Sequence, residues 1–322
     1  MLHPKKLILL LSFAFLFACN HSTAPNTTIQ GETWTVRASG VHNTLYSVAK
    51  MGSADSLQLI AVGDSGIILT SLDGITWTTR ISGTAYALYS VTYAGTQWIA
   101  LGYYGTLLTS PDGKNWTVRN PVTQNSLYSA TWTGSSTGSG TGLFVAVGGY
   151  YGTKVISSDG VNWTARSAES DYSLYSVIWT GTQLIAVGYH GTVLTSPDGI
   201  TWTNQTSGTE NALFSIVSAK TGFIAVGESG TILTSMDGVI WTARNSGTTE
   251  RLTSVFWTGS TGSPQAETQF ISTGQHGIIL TSTDGENWTK QTSGTMQDLR
   301  SVTSTGKQLV AVGDSGTILT SP

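Results

Sequence analysis

The chain has 322 residues, of which only 10% are charged, and its formal net charge is −3. It contains no run of more than two consecutive basic residues, so it lacks the positive stripe that electrostatic binding of nucleic acid requires. Glycine is abundant, with 38 residues, and the single cysteine has no partner for a disulfide. This composition favours short strands joined by tight turns, and the length fits either two average domains or one large all-β domain.

The first predicted element is a signal peptide over residues 1–18. Two lysines precede an apolar run over residues 7–17, which is shorter than the roughly 20 residues that a membrane-spanning helix needs. The ending LFAC resembles a bacterial lipobox, and this resemblance implies lipidation of Cys19. The polar stretch 19–30 predicts a tether. We therefore expect a lipid-anchored protein of the cell envelope, in the outer membrane if the host is Gram-negative.

Seven copies of one unit follow the tether. Each copy opens on a signature of the LYSV type, and the copies start 39–47 residues apart, which is the spacing of four-stranded propeller blades. The opening residues are Leu45, Leu88, Leu127, Leu174, Leu213, Leu252 and Leu299. Runs rich in Val, Ile, Leu, Tyr and Thr, bounded by Gly or Asp-Gly, predict four short strands in each copy.

The two ends of the chain predict how the array closes. The last copy stops at Pro322, after its third strand, and a fourth-strand sequence, GETWTVR, occurs at residues 31–37. We therefore predict an all-β fold, a single seven-bladed β-propeller over residues 31–322 whose C-terminal blade is completed by the N-terminal strand. The longer linkers 134–142 and 259–268 are predicted to be loop insertions on one face.

Six copies carry the same Ser-x-Asp-Gly-x-x-Trp sequence, here named the Asp-Gly-Trp turn; in the third copy the aligned serine is Ser157. Six aspartates in identical local settings cannot all be the catalytic acid of one enzyme, so we interpret the turn as structural. Its carboxylate can accept hydrogen bonds from turn amides while the indole ring packs over the turn. The aspartates are Asp73, Asp112, Asp159, Asp198, Asp237 and Asp284, and the tryptophans are Trp77, Trp116, Trp163, Trp202, Trp241 and Trp288.

This turn resembles the Asp-box of BNR-repeat propellers, which include sialidases and sortilin-like receptors. The longer pattern G-x-x-G-x-x-L-x-S-x-D-G-x-x-W is more similar to the propellers of the photosystem II stability and assembly factor family, over residues 31–322. The resemblance implies a fold and leaves the activity open. The chain departs from the sialidase pattern because it has no Arg-Ile-Pro segment and no evident trio of arginines.

The copies differ most in the two central residues of the turn between the second and third strands. We expect these turns to share a face with the links that enter each blade, and we expect a function private to this protein there. Tyrosine dominates copies two to four, and its ring and hydroxyl suit stacking on a sugar or anchoring a peptide. The predicted binding residues are Tyr86, Tyr103, Tyr104, Tyr150, Tyr151, Tyr172, Tyr189 and His190. The tyrosines that follow the opening leucines are instead expected to pack between blades; they are Tyr46, Tyr89, Tyr128 and Tyr175.

Three functions stay open at this point. The leading hypothesis is a monomeric, non-catalytic binding or assembly platform with a protein or glycan partner. A sialidase-like glycoside hydrolase would instead use the acidic turn residues Asp64, Glu228 and Asp314 as paired carboxylates, and a lectin would use the tyrosines without catalysis. Metal-ligand spacing, phosphate-binding loops and nucleophile motifs are absent from the sequence, so we predict neither a metal nor a cofactor.

Overall fold

The chain forms seven four-stranded antiparallel sheets arranged in a ring, which confirms the predicted seven-bladed β-propeller. The computed structural model describes residues 31–52, 57–134, 142–166, 172–261 and 269–322. The predicted signal peptide, Cys19 and the tether lie outside the described residues, as does most of each long linker. Within the described ranges, no helix is long and apolar enough to cross a membrane.

Each blade is a meander in which the first strand lies at the centre of the ring and the fourth at its rim. Blade 1 contains β2 (Leu45–Met51), β3 (Gln58–Gly63), β4 (Ile68–Ser71) and β5 (Thr78–Arg80). Blade 2 contains β6 (Leu88–Ala94), β7 (Gln97–Gly102), β8 (Leu107–Ser110) and β9 (Thr117–Val118). Blade 3 contains β10 (Leu127–Trp132), β11 (Phe144–Gly148), β12 (Lys154–Ser157) and β13 (Thr164–Arg166).

The remaining blades repeat this order. Blade 4 contains β14 (Leu174–Trp179), β15 (Leu184–Gly188), β16 (Val193–Ser196) and β17 (Thr203–Gln205). Blade 5 contains β18 (Leu213–Ala219), β19 (Gly222–Gly227), β20 (Ile232–Ser235) and β21 (Thr242–Arg244). Blade 6 contains β22 (Leu252–Trp257), β23 (Phe270–Gly274), β24 (Ile279–Ser282) and β25 (Thr289–Gln291). Blade 7 contains β26 (Leu299–Ser304), β27 (Leu309–Gly313), β28 (Ile318–Ser321) and β1 (Thr35–Arg37).

The helical elements among the described residues are short 3₁₀ turns. Six of them connect the second strand of a blade to the third: Asp64–Gly66, Tyr103–Gly105, Tyr189–Gly191, Glu228–Gly230, Gln275–Gly277 and Asp314–Gly316. Another, Thr258–Thr261, follows β22. Blade 3 makes the corresponding connection through a turn over residues 149–153.

The hydrophobic core lies between neighbouring blades. The second and third strands are buried on both faces, so they read as continuous apolar runs and not as alternating ones. In the cluster between blades 1 and 2, Ile60 and Val62 pack against Val91 and Trp98. The Trp98 ring is fully buried, and its Nε1 donates to Gln58 Oε1 at 3.0 Å.

The ring closes by pairing the two ends of the chain, as predicted. Strand β1 pairs antiparallel with β28, with Thr35 opposite Thr320. The Gly31 amide donates to Ser321 Oγ at 2.9 Å, and Trp34 Nε1 donates to the Gly31 carbonyl at 2.9 Å. These contacts rebuild, from two distant segments, most of the turn that a continuous chain makes in the other blades.

The Asp-Gly-Trp turns are held by contacts within each turn. In blade 1, Ser71 Oγ accepts from the Gly74 amide at 2.8 Å, Asp73 Oδ1 accepts from the amides of Ile75 and Thr76 at 2.8 Å, and Trp77 Nε1 donates to the Gly74 carbonyl at 3.1 Å. The same pattern recurs in the other five turns, with Ser157 as the serine of blade 3. This geometry agrees with the structural interpretation.

Hydrogen bonds to these carboxylates favour their ionised form. In blade 2, the backbone N–H of Asn115, followed by that of Lys114, holds the pKa of Asp112 well below its usual range. The pKa values of the other five turn aspartates are lowered as well. The turn is therefore held by an ionised carboxylate whose oxygens accept hydrogen bonds from the backbone amides of the same turn.

Candidate functional site on the turn face and the channel mouth

One face of the disc, here named the turn face, carries the variable turns together with the links that enter each blade. The backbone amide of the first turn residue donates to a carbonyl of the entering link in every blade. In blade 2, for example, Tyr103 N donates to Ala87 O at 2.9 Å, and in blade 4 Tyr189 N donates to Ser173 O at 2.9 Å. The expectation that turns and links share one face is therefore met.

The second residue of each variable turn has a left-handed backbone. Tyr104 has φ 56° and His190 has φ 54°, and the equivalent serines and His276 have similar values. The following residue has to be glycine because its neighbourhood is closed: a Cβ on Gly105 would lie 2.0 Å from the Thr123 carbonyl oxygen. The turn thus packs its glycine against the link that enters the next blade, and the side chains of its two central residues point outward.

In blades 2 and 4, the predicted binding residues form two three-ring clusters. Tyr86, from the entering link of blade 2, lies with its ring centroid 5.9 Å from that of Tyr103 and 6.1 Å from that of Tyr104. In blade 4, the ring centroid of Tyr172 lies 5.9 Å from that of Tyr189 and 5.2 Å from that of His190. All these side chains are exposed.

Between these clusters, blade 3 contributes Tyr150 and Tyr151. They are the most exposed of the predicted tyrosines, at 73% and 66%. Both have positive φ, 43° and 56°, because the turn of blade 3 has two left-handed tyrosines in succession. The eight predicted residues therefore occupy three consecutive blades of one face, as two clusters with a pair between them.

A second aromatic surface lines the central channel, where the sequence predicted only packing between blades. Each first strand contains a β-bulge at its second residue, between the opening leucine and the serine that follows it. A bulge re-aims a side chain, and here it directs one residue per blade to the channel. These residues, here named the channel ring, are Tyr46, Tyr89, Tyr128, Tyr175, Phe214, Thr253 and Arg300.

Five aromatic members of the channel ring contact one another in blade order. The centroid separations are 5.3 Å for Tyr46–Tyr89, 5.4 Å for Tyr89–Tyr128, 5.5 Å for Tyr128–Tyr175 and 5.2 Å for Tyr175–Phe214. They do pack between blades, yet they remain half-buried and line a cavity of about 390 Å³. Packing and exposure to the channel therefore coexist in the same side chains.

The channel ring adjoins the exposed tyrosines of the turn face. The turn Tyr103–Gly105 contacts β10, the strand of Tyr128, and the turn Tyr189–Gly191 contacts β18, the strand of Phe214. Burial has the largest effect on the pKa values of the four tyrosines in the channel ring. It raises the pKa of Tyr46 to about 12 and also raises the pKa values of Tyr89, Tyr128 and Tyr175. At neutral pH the ring thus offers uncharged hydroxyl groups that can donate hydrogen bonds.

Two arginines complete the channel wall on the side of blades 6 and 7. The Arg251 guanidinium lies 5.2 Å from the centroid of the Phe214 ring, in a cation–π contact. Arg300 makes a two-pronged ion pair with Asp314, through Nε at 2.8 Å and Nη2 at 2.7 Å, and Nη2 also lies 3.3 Å from Asp298. The channel mouth is therefore aromatic on one side and carries arginines paired with acidic residues on the other.

The three acidic residues proposed for catalysis each hold a residue of this channel wall. Asp314 binds Arg300, Asp64 Oδ1 accepts from the Tyr46 hydroxyl at 3.1 Å, and Glu228 lies 3.9 Å from Arg251. All three carboxylates thus have a structural partner in the channel wall. Among the described residues, no group of three His, Cys, Asp or Glu side chains is placed to hold a metal ion.

Sequence reasoning missed the channel ring because its members looked like scaffold. Residues shared by several copies were assigned to the fold, and the tyrosine after each opening leucine is shared by four copies. The available signal was the substitution at this position, since Phe214, Thr253 and Arg300 replace tyrosine in blades 5 to 7. A position needed only for packing would not be expected to accept an arginine.

Comparison with solved structures identifies proteins of the same fold. YCF48 from Cyanidioschyzon merolae superposes with a TM-score of 0.69 at 18% identity, covering 89% of this chain and 98% of that one. A structure of YCF48 bound to D1 peptide gives a TM-score of 0.70 at 17% identity, with 89% and 96% coverage. Virginiamycin B lyase from Staphylococcus aureus gives 0.75 at 9% identity, with 89% and 99% coverage. No protein-family model and no curated protein sequence matches the chain.

Proposed function

We propose that this protein is a non-catalytic binding or assembly platform whose turn face and channel mouth contact a protein partner. The observation that carries the proposal is the continuity between the exposed tyrosines of blades 2 to 4 and the channel ring. Together they make a broad aromatic surface with neutral hydroxyl groups at its centre and exposed rings at its edge. Tyrosine and arginine are the side chains that most often dominate the binding energy of protein interfaces.

The similarity to solved structures agrees with this proposal at the level of the fold. One of the similar propellers is bound to a peptide, which makes peptide binding a use that this architecture supports. The identity of 17% carries no residue roles from that protein to this one. The partner is therefore described here by chemistry, as a protein segment with groups that stack on tyrosine and accept hydrogen bonds from its hydroxyl.

The proposal includes a place for the protein in the cell. We propose that residues 1–18 are removed as a signal peptide and that Cys19 carries the lipid. Residues 19–30 would then connect the lipid to Gly31, where the propeller begins. The partner would accordingly lie in the cell envelope, at the outer membrane if the host is Gram-negative. Labelling with a radioactive fatty acid, in wild type and in Cys19→Ser, tests this part separately.

A glycan is the alternative ligand for the same tyrosines, and a glycoside hydrolase is the alternative activity. The ion pairs of Asp314 and Glu228 and the hydrogen bond of Asp64 favour a structural role for these three carboxylates. Glycan-array binding combined with a hydrolysis screen separates these functions. Glycan binding without hydrolysis would favour a lectin, and hydrolysis would favour an enzyme. The absence of both glycan binding and hydrolysis agrees with a protein partner.

The main test is the double variant Tyr103→Ala with Tyr150→Ala, compared with wild type in affinity purification from the native envelope. We expect partner recovery to fall about tenfold or more, because truncating two exposed aromatic anchors removes binding energy. The melting temperature should stay nearly constant, since Tyr103 is 49% and Tyr150 73% exposed. Leu72→Ala, on the opposite face and 74% exposed, is the matched control. Unchanged recovery in the double variant would contradict the proposal.

A further inference from the structure

The face opposite the turn face, formed by the Asp-Gly-Trp turns, has a recurring bridge between blades. In four junctions, the glutamine at the start of a second strand donates its side-chain amide to the carbonyl of the turn aspartate in the next blade. The pairs are Gln58–Asp112 at 2.7 Å, Gln97–Asp159 at 3.0 Å, Gln183–Asp237 at 3.0 Å and Gln308–Asp73. In each case the amide crosses from one blade to the next.

The other three junctions differ from this pattern. Gln269 lies against Gly31 at the closure of the ring, and Leu143 packs into the core between blades 3 and 4, against Gly199. In blade 5 the position is Gly222, at the start of β19. All seven positions lie within the described residues, and Gly222 is the only one of them without a side chain. The side-chain bridge found at the other four junctions is therefore missing between position 222 and the Asp284 carbonyl of blade 6.

A groove of about 710 Å³ lies at this junction, here named the blade 5–6 groove. Its wall on the blade 5 side includes Met236 and Ile240, whose exposed fractions are 78% and 72%. Asp284 lines the opposite wall, and an ion pair of 2.6 Å between Arg244 and Glu286 joins the two walls. The groove thus combines an exposed aliphatic surface with the position that a glutamine side-chain amide occupies at four other junctions.

We propose that the blade 5–6 groove binds an extended peptide segment of a protein partner through a Gln or Asn side chain next to an aliphatic residue. The partner's amide takes the place of the missing glutamine and donates to the Asp284 carbonyl, as its counterparts do in four other junctions. The adjacent aliphatic side chain covers Met236 and Ile240. A Glu side chain does not fit, because it would direct an oxygen acceptor at a carbonyl oxygen.

The size and chemistry of the groove support this choice of occupant. Its volume lies within the range of roughly 300–1,000 Å³ that is typical of ligand sites, and it is therefore large enough for several residues of a peptide. Some polar side chains of the groove already have partners within the protein. Arg244 pairs with Glu286, and the Asp284 carboxylate accepts hydrogen bonds from the amides of its own turn. The exposed Lys220 and Thr221 side chains also line the groove, so a ligand meets them together with the Asp284 carbonyl and the aliphatic surface.

The test uses the full chain with its methionine methyl groups labelled with ¹³C and observed by NMR. The chain has four methionines, and Met236 reports on the groove while Met51 and Met296 report on other parts of the fold. The probes are acetyl-Ala-Gln-Leu-Ala-amide and the same peptide with Glu in place of Gln. We expect the Gln peptide to shift the Met236 signal alone, and the Glu peptide to bind about tenfold or more weakly.

Two variants make the result specific. Lys220→Gly with Gly222→Gln converts residues 219–222 to AGTQ, the sequence of the equivalent hairpin at residues 94–97, and should restore the bridge and abolish the Met236 shift. Lys220→Gly alone, which removes a groove-lining side chain without adding the amide, should keep the shift. Unchanged Met51 and Met296 signals show that this variant has folded. Ile240→Ser should weaken binding about tenfold, whereas Leu72→Ser, the matched control at a bridged junction, should leave it unchanged.

Three results would overturn the inference: no shift of Met236 with the Gln peptide, equal binding of the Glu peptide, or full binding by the variant with the restored bridge. The inference does not rest on the proposed function of the turn face, because the groove lies on the opposite side of the disc. The two can therefore fail separately.

Discussion

At the scale of single residues, one backbone conformation recurs at seven positions that carry three kinds of side chain, serine, tyrosine and histidine. The second residue of each variable turn is left-handed, and in blades 2 to 4 it is Tyr104, Tyr151 or His190. Such a conformation costs about 1–3 kcal/mol for a residue with a Cβ. Because serine and histidine adopt it in the other blades, the turn itself imposes it, and the tyrosines are an addition to a turn that the fold already needs.

Replacing Tyr104 by glycine separates these two roles. We expect Tyr104→Gly to keep the free energy of unfolding within about 1 kcal/mol of wild type, because relief of the left-handed strain offsets the lost ring contacts. Ser65→Gly, with the same backbone and no ring, should be stabilised by a similar relief and is the control. Chemical unfolding measures both. A loss of several kcal/mol in Tyr104→Gly would show that the ring belongs to the core.

At the scale of the element, the Asp-Gly-Trp turn uses a charge to hold its backbone. The serine, aspartate and tryptophan satisfy one another and the turn amides, and the turn glycine at φ near 70° is packed against the neighbouring blade. In blade 2, the neighbour is the Gln58 amide, whose nitrogen lies 2.6 Å from the position that a Cβ on Gly113 would take. The motif is shared by six blades because it both ends a hairpin and contacts the next blade.

The lowered pKa values of the turn aspartates predict a dependence of stability on pH. A carboxylate whose pKa is lower in the folded state contributes stability that is complete above its unfolded pKa, 3.8 for these groups, and is lost as the pH falls through the folded value. We therefore expect the melting temperature to be nearly constant from pH 7 to pH 5 and to fall steadily below pH 4.

The three turns with the largest lowering provide the control for this expectation. Asp112→Asn, Asp159→Asn and Asp284→Asn combined should reduce the dependence on pH below 4 by more than half, because the three carboxylates with the largest lowering of pKa no longer titrate. Differential scanning calorimetry between pH 2 and pH 7 measures it. An identical dependence in the triple variant would show that other groups control acid unfolding.

At the scale of the whole molecule, stability depends on closing the ring. Seven hydrophobic clusters lie between pairs of blades, and one of them contains Trp34 from the N-terminal segment packed against blades 6 and 7. Strand β1 also covers the outer edge of β28, which would otherwise be an unpaired strand edge. The ends of the chain therefore contribute as much to the last junction as the interior of the chain does elsewhere.

Deletion of residues 31–37 tests the closure. We expect the free energy of unfolding to fall by about 3 kcal/mol or more, because a packed indole and a strand pairing are lost together. The exposed β28 edge should also cause self-association at high concentration. Val36→Thr, which keeps the strand and alters only an exposed side chain, is the control. A deleted chain that stays monomeric with an unchanged melting temperature would contradict the closure as a source of stability.

Much of this architecture could be predicted because it depends on sequence patterns within short segments of the chain. The positions of the strands follow from alternating or apolar runs of four to six residues between Gly and Asp-Gly turns. The closure follows from counting, since a missing fourth strand at residue 322 matches an extra one at residues 31–37. The common face of the variable turns and entering links also followed, because a four-stranded meander allows no other arrangement.

The channel ring and the blade 5–6 groove were decided only in three dimensions. A β-bulge turns Tyr46 and its equivalents to the channel, and a bulge depends on pairing with the next strand, which single-strand periodicity does not record. The cation–π contact of Arg251 with Phe214 joins two neighbouring blades, and the glutamine bridge that is missing at Gly222 would have done the same. The sequence by itself determined the strands, the turns and the order of the blades, because these depend on neighbouring residues. The tertiary structure decided which side chains meet across blades, because that depends on where bulges and missing side chains fall in the closed ring.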